Sequence, residues 1–463
     1  MGGRQGSDGG QDGAMGGQSG RWTAGGPDLH AVRAFLAPGH AEWAAKVAAF
    51  ASGALRRRPP ADDDATARRE ARELLGLMGE AGLFEPIGSL DLRACCLTRE
   101  VLAAASPLAD AVFALQGLGI TPLLLLAGDE LRERWAAPAL KGEVMSAFAM
   151  TEPEAGTDVA SMTTRAVRDG DDWVLTGAKH LISNAGIADY YIVFASTDPQ
   201  AGSRGISAFL VPADAPGLRF GEPQVMSAPH PLGEILLEEC RVPASHLVGE
   251  EGHGFKVGMA TLDHLRPTVG AAACGMASRA LAEALDHATT RQQFGKPLSS
   301  FQLIQEKLGR MAIDLSASRM LVYRAAYEKD MGAERITTEA AMAKAFATEA
   351  AQRIVDDAVQ ILGGRGVLAS HPVDRLYRSV RALRIYEGTT EIQHLIVAGA
   401  LVADAQERRA ATDRKHAGTD EEQAGAEIED GAEAEAGVEA EAGAAAEAGA
   451  EAEAETGATE KQS

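Results

Sequence analysis

Three regimes of hydrophobic spacing follow one another along the chain. Over residues 29–141 apolar side chains recur at helical intervals. Leu74, Leu75, Leu77, Met78 and Leu83 fit one amphipathic helix, and 115–126 fits a buried one. Between 144 and 248 the period shortens. Trp173-Val174-Leu175, Tyr190 to Ala195, Ile206 to Val211, Glu234 to Glu238 and Arg241-Val242-Pro243 are β-rich runs separated by turn residues. From 254 to 403 long helical patterns return, with Gly and Pro mostly at the breaks. The expected class is α+β: a helical domain over 28–143, a β-domain over 144–250 and a helical bundle over 251–407.

The two ends lack such periodicity. Residues 1–27 are rich in Gly, Gln and Ser, and 408–463 decay into Ala, Glu and Gly repeats, so both are expected to be disordered. A solubilising extension is the simpler role for the acidic end, with a tether for a partner as the other. Of the formal charge of −22, a net −13 lies between Glu421 and Ser463, where 14 acidic residues meet one basic residue. What remains is an ordinary enzyme surface. Nucleic acid is not an expected partner, because phosphate binding needs clustered Lys and Arg, and Arg56-Arg57-Arg58 is the one dense basic run.

A hydrophobic share of 46% over 463 residues suffices for a large core. Cys95, Cys96, Cys240 and Cys274 show no C-x-x-C spacing, which suits reduced, buried thiols. The N-terminus has no signal-peptide layout, and the apolar run 120–127 is too short to span a bilayer. A cytoplasmic protein without membrane contact is expected. His180, His230, His253, His264 and His371 lack metal-ligand spacing, so no metal is expected either.

The candidate chemistry is concentrated in Ile385-Tyr386-Glu387-Gly388-Thr389-Thr390-Glu391-Ile392-Gln393. A glutamate beside a glycine, at a pause in a helical pattern, can be stripped of water and raised toward a general base's working range. The same residues also read as a helix start, with Thr389 or Thr390 capping the apolar run that follows.

Four further segments accompany it in order: Phe148 to Asp158 (FAMTEPEAGTD), Lys179 to Asn184 (KHLISN), Arg291 to Pro297 (RQQFGKP) and Gln360 to Gly366 (QILGGRG). Together the five resemble the acyl-CoA dehydrogenase family, flavoenzymes that desaturate acyl-CoA thioesters, over about residues 28–403. The resemblance implies a helical domain, a β-domain and a C-terminal four-helix bundle, with bound FAD and a homo-oligomer, most often a tetramer. Glu387 takes the position of the base that removes the α-proton while the β-hydride goes to the flavin. Its backbone N–H and a flavin hydroxyl hold the thioester carbonyl, Gly388 leaves space for the thioester, and Tyr386 with residues 112–125 shapes the acyl pocket.

By the same resemblance, Phe148, Met150, Thr151, Thr157, Leu181 and Ser183 line the flavin, with Thr389 and Glu391 closing over it. Arg291, Phe294, Gln302, Gln360, Gly363 and Gly364 meet its adenosine and pyrophosphate portion across a subunit boundary. Asp263, Arg266 and Thr157 match contacts to CoA or the rim of the acyl site, although an Asp-x-x-Arg pair is equally a helix-surface ion pair. Leu265 occupies the position where some relatives carry the base instead. Leu181 replaces a frequent aromatic residue, Glu154 a frequent glycine, and Gly399 a frequent arginine. The activity implied is formation of a trans-2-enoyl-CoA, with electrons passed to an electron-transfer flavoprotein. An acyl-CoA oxidase or a flavin monooxygenase on the same scaffold is the first alternative, although monooxygenases generally lack the carboxylate. A silent oligomeric scaffold is the alternative from another class.

Overall fold

A computed structural model describes residues 29–56, 58–412 and 414. The segment 1–27 and almost all of 408–463 lie outside them. Within the latter segment, 408–412 and 414 are helical.

The first helical layer contains α1 (Pro38–Phe50), α2 (Asp64–Glu80), α3 (Leu92–Ala105) and α4 (Pro107–Leu126). The amphipathic helix expected around Leu74 is α2, and Leu83 lies just past its end. Its N-cap, Asp63, accepts from the Thr66 amide, as a short side-chain oxygen should at a helix start. α4 starts well before residue 115, because Ser106 caps it and Pro107 supplies a preset φ at its first position. Among the described residues α4 alone has the length and apolar composition of a membrane span. Val112, Phe113, Ile120 and Leu123 bury it in the core instead.

A seven-stranded sheet follows. β1 (Ser146–Ala149) and β2 (Arg165–Asp169) share one side of β4 (Tyr190–Ser196), both parallel to it, and β5 (Ile206–Pro212) lies antiparallel on the other side. β2 continues through β3 (Asp172–Ser183) to β7 (Leu232–Pro243) and β6 (Leu218–Pro223), all antiparallel. Successive side chains on a strand point to opposite faces, and β4 is buried on both. Tyr190, Ile192 and Phe194 enter the helical core, whereas Tyr191, Val193 and Ala195 enter a second core within the sheet. That double burial explains the unbroken apolar run. The two runs expected at 234–238 and 241–243 form a single strand, joined through Glu239 at φ +52°. β2 and β6 were not legible, because their mostly exposed, charged residues lack alternation.

The chain returns to helix with α5 (Gly254–Thr290), a short hairpin, α6 (Gln302–Asp330), α7 (Thr337–Leu362) and α8 (Pro372–Leu383). α5, α6 and α7 pack on one another, and α8 packs against α5 and α7. α3 lies on both α5 and α6, so the first and last helical regions share one hydrophobic core from Val32 to Leu383. A final helix, α9 (390–412), begins after the Tyr386-Glu387-Gly388 loop.

The sheet meets the helices closely at one point. A β-carbon on Gly119 of α4 would sit 2.3 Å from the Ser146 side chain, so glycine is what lets α4 rest on β1. Gln116 fixes the same contact, its amide accepting from the Ser146 N–H at 3.1 Å. All four cysteines are buried free thiols.

Candidate active site

Two clusters of expected site residues form within the chain. In the first, β1 runs into Met150 and Thr151 beside the far end of β3, where the His180 amide donates to the Thr151 carbonyl at 2.9 Å. A buried ion pair ties the segments together. Lys179 Nζ lies 2.7 Å from Glu152 Oε1 and also donates to the Met150 carbonyl at 3.2 Å. Glu152 accepts further from the amides of Thr163 (2.6 Å) and Thr164 (3.0 Å). Burial pushes its carboxyl upward, but Lys179 and these donors outweigh burial and hold it at about 2.

Beyond Lys179 the β3–β7 register slips, and Leu181 turns to φ +55°, leaving its side chain half exposed. Its amide donates to Gln224 Oε1 at 2.7 Å. Ser183, two residues on, shares a 2.8 Å hydrogen bond with His230 Nε2. Burial pushes that imidazole down to about 4, so it is neutral at physiological pH. Phe148 packs on Phe194 with ring centroids 4.9 Å apart, Met150 is buried, and Thr157 is exposed.

The second cluster surrounds Glu387 in the loop between α8 and α9. Glu387 adopts φ +55° and Gly388 φ +89°. An L-residue in the left-handed region is held there by its surroundings, and those surroundings are visible. Arg266 Nε donates to the Glu387 carbonyl at 3.3 Å, Gln393 Nε2 to the Gly388 carbonyl at 3.0 Å, and the buried Lys344 Nζ to that same carbonyl. Burial pushes the Lys344 ammonium down to about 8 against the pull of Glu387. Glu349 of α7 accepts from Arg384 at 2.6 Å and from the Thr390 hydroxyl at 2.8 Å, fixing both ends of the loop.

Against this rigid backbone, Glu387 Oε2 is buried and, among the described residues, has no hydrogen-bond partner. Burial raises the carboxyl above its ordinary value; Arg99, Lys344 and Arg266 work against that rise and Asp110 with it. The amides of Ile385, Tyr386 and Thr390 are bonded within the loop, whereas that of Glu387 has no acceptor among the described residues. One carboxylate oxygen and one N–H of the same residue are thus left for a ligand. Burial also raises the Tyr386 hydroxyl.

Three expectations change in detail. The space beside Gly388 is filled by the protein itself, since a β-carbon there would lie 2.5 Å from Gln393 Nε2. Its φ and the close approach of Gln393 both call for glycine here. Gly388→Ala should strain the loop by about 1–2 kcal/mol and lower kcat about tenfold or more without loss of fold; an unchanged kcat would contradict this. Asp263 forms the helix ion pair with Arg266 and accepts from Thr337 at 2.6 Å, while Arg266 reaches the Glu387 carbonyl. Thr389 does cap α9, its Oγ1 3.4 Å from the Ile392 amide, and Glu391 is exposed in the first turn. The cap reading of this loop is realised.

Arg291, Phe294, Gln302, Gln360, Gly363 and Gly364 are all exposed. Phe294 is 92% exposed at φ +53°, and β-carbons on Gly363 or Gly364 would meet nothing within 4 Å. Among the described residues no hydrogen bond joins this group to either cluster. A cavity of about 890 Å³, bounded by Ser52, Arg58, Arg279, Glu283 and Arg375, contains none of the expected site residues. Sequence reasoning missed Arg99, Asp110, Lys344, Gln393 and His230. Arg99 in the middle of the largely apolar α3 and Lys344 in the alanine-rich α7 were the available signals.

Comparison with known proteins bears directly on this geometry. Residues 147–240 match the acyl-CoA dehydrogenase middle domain, and residues 252–402 match the acyl-CoA dehydrogenase C-terminal domain. A probable acyl-CoA dehydrogenase of Mycobacterium bovis is 41% identical over 315 residues, spanning 67% of this chain and 81% of that enzyme. This chain belongs to the acyl-CoA dehydrogenase family. The mitochondrial short-chain specific acyl-CoA dehydrogenase of Bos taurus is 44% identical over 287 residues, covering 62% of this chain and 69% of that enzyme. The butyryl-CoA dehydrogenase structure from Megasphaera elsdenii superposes with a TM-score of 0.74 at 34% identity, over 79% of this chain and 99% of that one. As a member of an oxidoreductase family, the chain has the acyl-CoA dehydrogenase fold, with its helices around a curled sheet.

Proposed function

We propose that this acyl-CoA dehydrogenase family member uses FAD to convert an acyl-CoA into its trans-2-enoyl-CoA, with Glu387 as the base and an electron-transfer flavoprotein as acceptor. The observation that carries the proposal is the Glu387 carboxylate, buried and unpartnered at Oε2 on a backbone clamped by Arg266, Lys344 and Gln393.

The residues present fit the flavin. Thr151 and Ser183 offer hydroxyls at the joined ends of β1 and β3, with Leu181 half exposed beside them and Phe148 and Met150 beneath. Exposed Arg291, Phe294 and Gln302, with Gln360 and the open Gly363-Gly364 turn, suit an adenosine and pyrophosphate shared with a neighbouring subunit. That arrangement calls for a homo-oligomer, which we take to be a tetramer. FAD, when bound, supplies the hydride acceptor. Glu387 Oε2 receives the α-proton. The Glu387 N–H donates to the thioester carbonyl as negative charge develops there. Tyr386 and the α4 side chains border the acyl group, and Thr157, Asp263 and Arg266 border CoA.

Because Glu387 works as a carboxylate, activity should fall as pH drops through its pKa. Since burial has raised that pKa in the ligand-free site, the acidic limb of kcat/KM should lie above the ordinary glutamate range. A pH profile of kcat/KM checks this. Anaerobic titration of the holoenzyme with short, branched and aromatic acyl-CoA thioesters, following flavin bleaching, tests the function itself. Bleaching by at least one class is expected; a bound flavin that none reduces would count against it.

A further inference from the structure

Arg99 and Asp110 form a buried ion pair that none of the steps above uses. Each side chain is only 3% exposed. Arg99 lies on α3 between Thr98, bonded to Trp43, and Glu100, whose carboxylate points away to Arg319 and Tyr323 of α6. Its guanidinium donates through Nε to Asp110 Oδ1 at 2.8 Å, through Nη2 to Oδ2 at 3.0 Å, and through Nη1 to the Thr268 hydroxyl at 3.0 Å. Thr268 in turn donates to the Leu265 carbonyl at 2.6 Å, next to the Arg266 that holds the Glu387 carbonyl. A guanidinium carries five N–H groups, so two remain after these three bonds. The guanidinium's charge also acts on the Tyr386 hydroxyl, working against the rise that burial imposes.

We propose that Arg99 and Asp110 are a positioning pair for Glu387: a buried ion pair, braced by α3, α4 and α5, that is tied through Thr268 to the turn of α5 whose Arg266 holds the Glu387 carbonyl. The bidentate fork fixes the orientation of the guanidinium plane, which a lysine could not do. Through Thr268 that plane fixes the turn of α5 from which Arg266 reaches the Glu387 carbonyl. Its charge also reaches Glu387 itself, and among the charged groups acting on that carboxyl Arg99 weighs most. Lys344 from α7 and Arg266 from α5 act in the same sense, and Asp110 from α4 acts in the opposite one. A neutral pair would leave no net charge but a directed field, strong because both groups are buried. Arg99 thereby opposes the rise that burial imposes on the Glu387 carboxyl.

Because this inference rests on Glu387 as the base, its test must separate the two. The C=O stretch of protonated Glu387, identified as the infrared band that Glu387→Gln lacks, is titrated in the FAD-loaded enzyme without substrate. The acidic limb of flavin bleaching by the fastest thioester of the panel is measured alongside. Arg99→Gln should move the Glu387 midpoint upward by about one pH unit, since it removes the nearer, favourable charge. The near-isosteric Asp110→Asn should move it downward by a smaller amount, and the double variant should fall between the two. Opposite displacements are not expected from loss of packing, which would affect both variants alike.

Shifts of the same sign, or midpoints that stay at the wild-type value, would overturn the pair's role. If Arg99→Gln does not fold, the downward shift in Asp110→Asn decides alone. Wild-type turnover in Glu387→Gln would instead sink the base assignment.

Discussion

Glu387→Gln is expected to keep its FAD and bind acyl-CoA normally while losing between about 10² and 10⁴ of its turnover, the range general base catalysis supplies. The amide occupies the carboxylate's volume, so the φ +55° turn and its clamps by Arg266 and Gln393 survive. The backbone N–H survives as well, so the thioester carbonyl keeps its donor. What disappears is the acceptor at Oε2, which among the described residues has no partner to lose. No second carboxylate can take over at the position some relatives use, because Leu265 stands there, buried against α4. Binding titration and steady-state turnover of the same preparation check the prediction. Near wild-type turnover would remove Glu387 from the mechanism.

Glu152→Gln should have the largest effect on stability. Glu152 and Lys179 are both almost fully buried, and removing one partner of such a pair strands the other charge at a cost of about 3–5 kcal/mol. Lys179, already near 8 through burial, would then shed its proton around neutral pH rather than stay charged. The damage is local in origin, because this pair joins the Met150–Thr151 segment to the strand that carries Leu181 and Ser183. A lowered melting temperature and faster release of FAD are therefore expected together. A variant that melts and retains FAD like the wild type would show that the one backbone N–H bond left to the amide oxygen suffices.

The sequence made the architecture legible where one periodicity dominated. Double burial of β4 wrote itself as an apolar run, and the one-sided α2 as a helical stripe. β2 and β6 escaped because exposed strands need no apolar alternation. Within the site, Glu387 was readable because its neighbours in sequence are also its neighbours in space. Arg99, Asp110 and Lys344 were not, since they reach the loop from three separate helices and periodicity carries no record of which buried charges meet. Gly388 was legible as a glycine, but one part of its constraint was not. That part comes from Gln393, five positions along, and only the folded loop brings that amide onto its α-carbon.

The most direct test of Glu387-mediated proton removal is single-turnover flavin bleaching with an α-dideuterated acyl-CoA, compared with the protiated thioester under anaerobic conditions. If the α-proton leaves to Glu387 in the step that reduces the flavin, bleaching should slow several-fold on deuteration. Bleaching at the same rate with both thioesters would contradict that account.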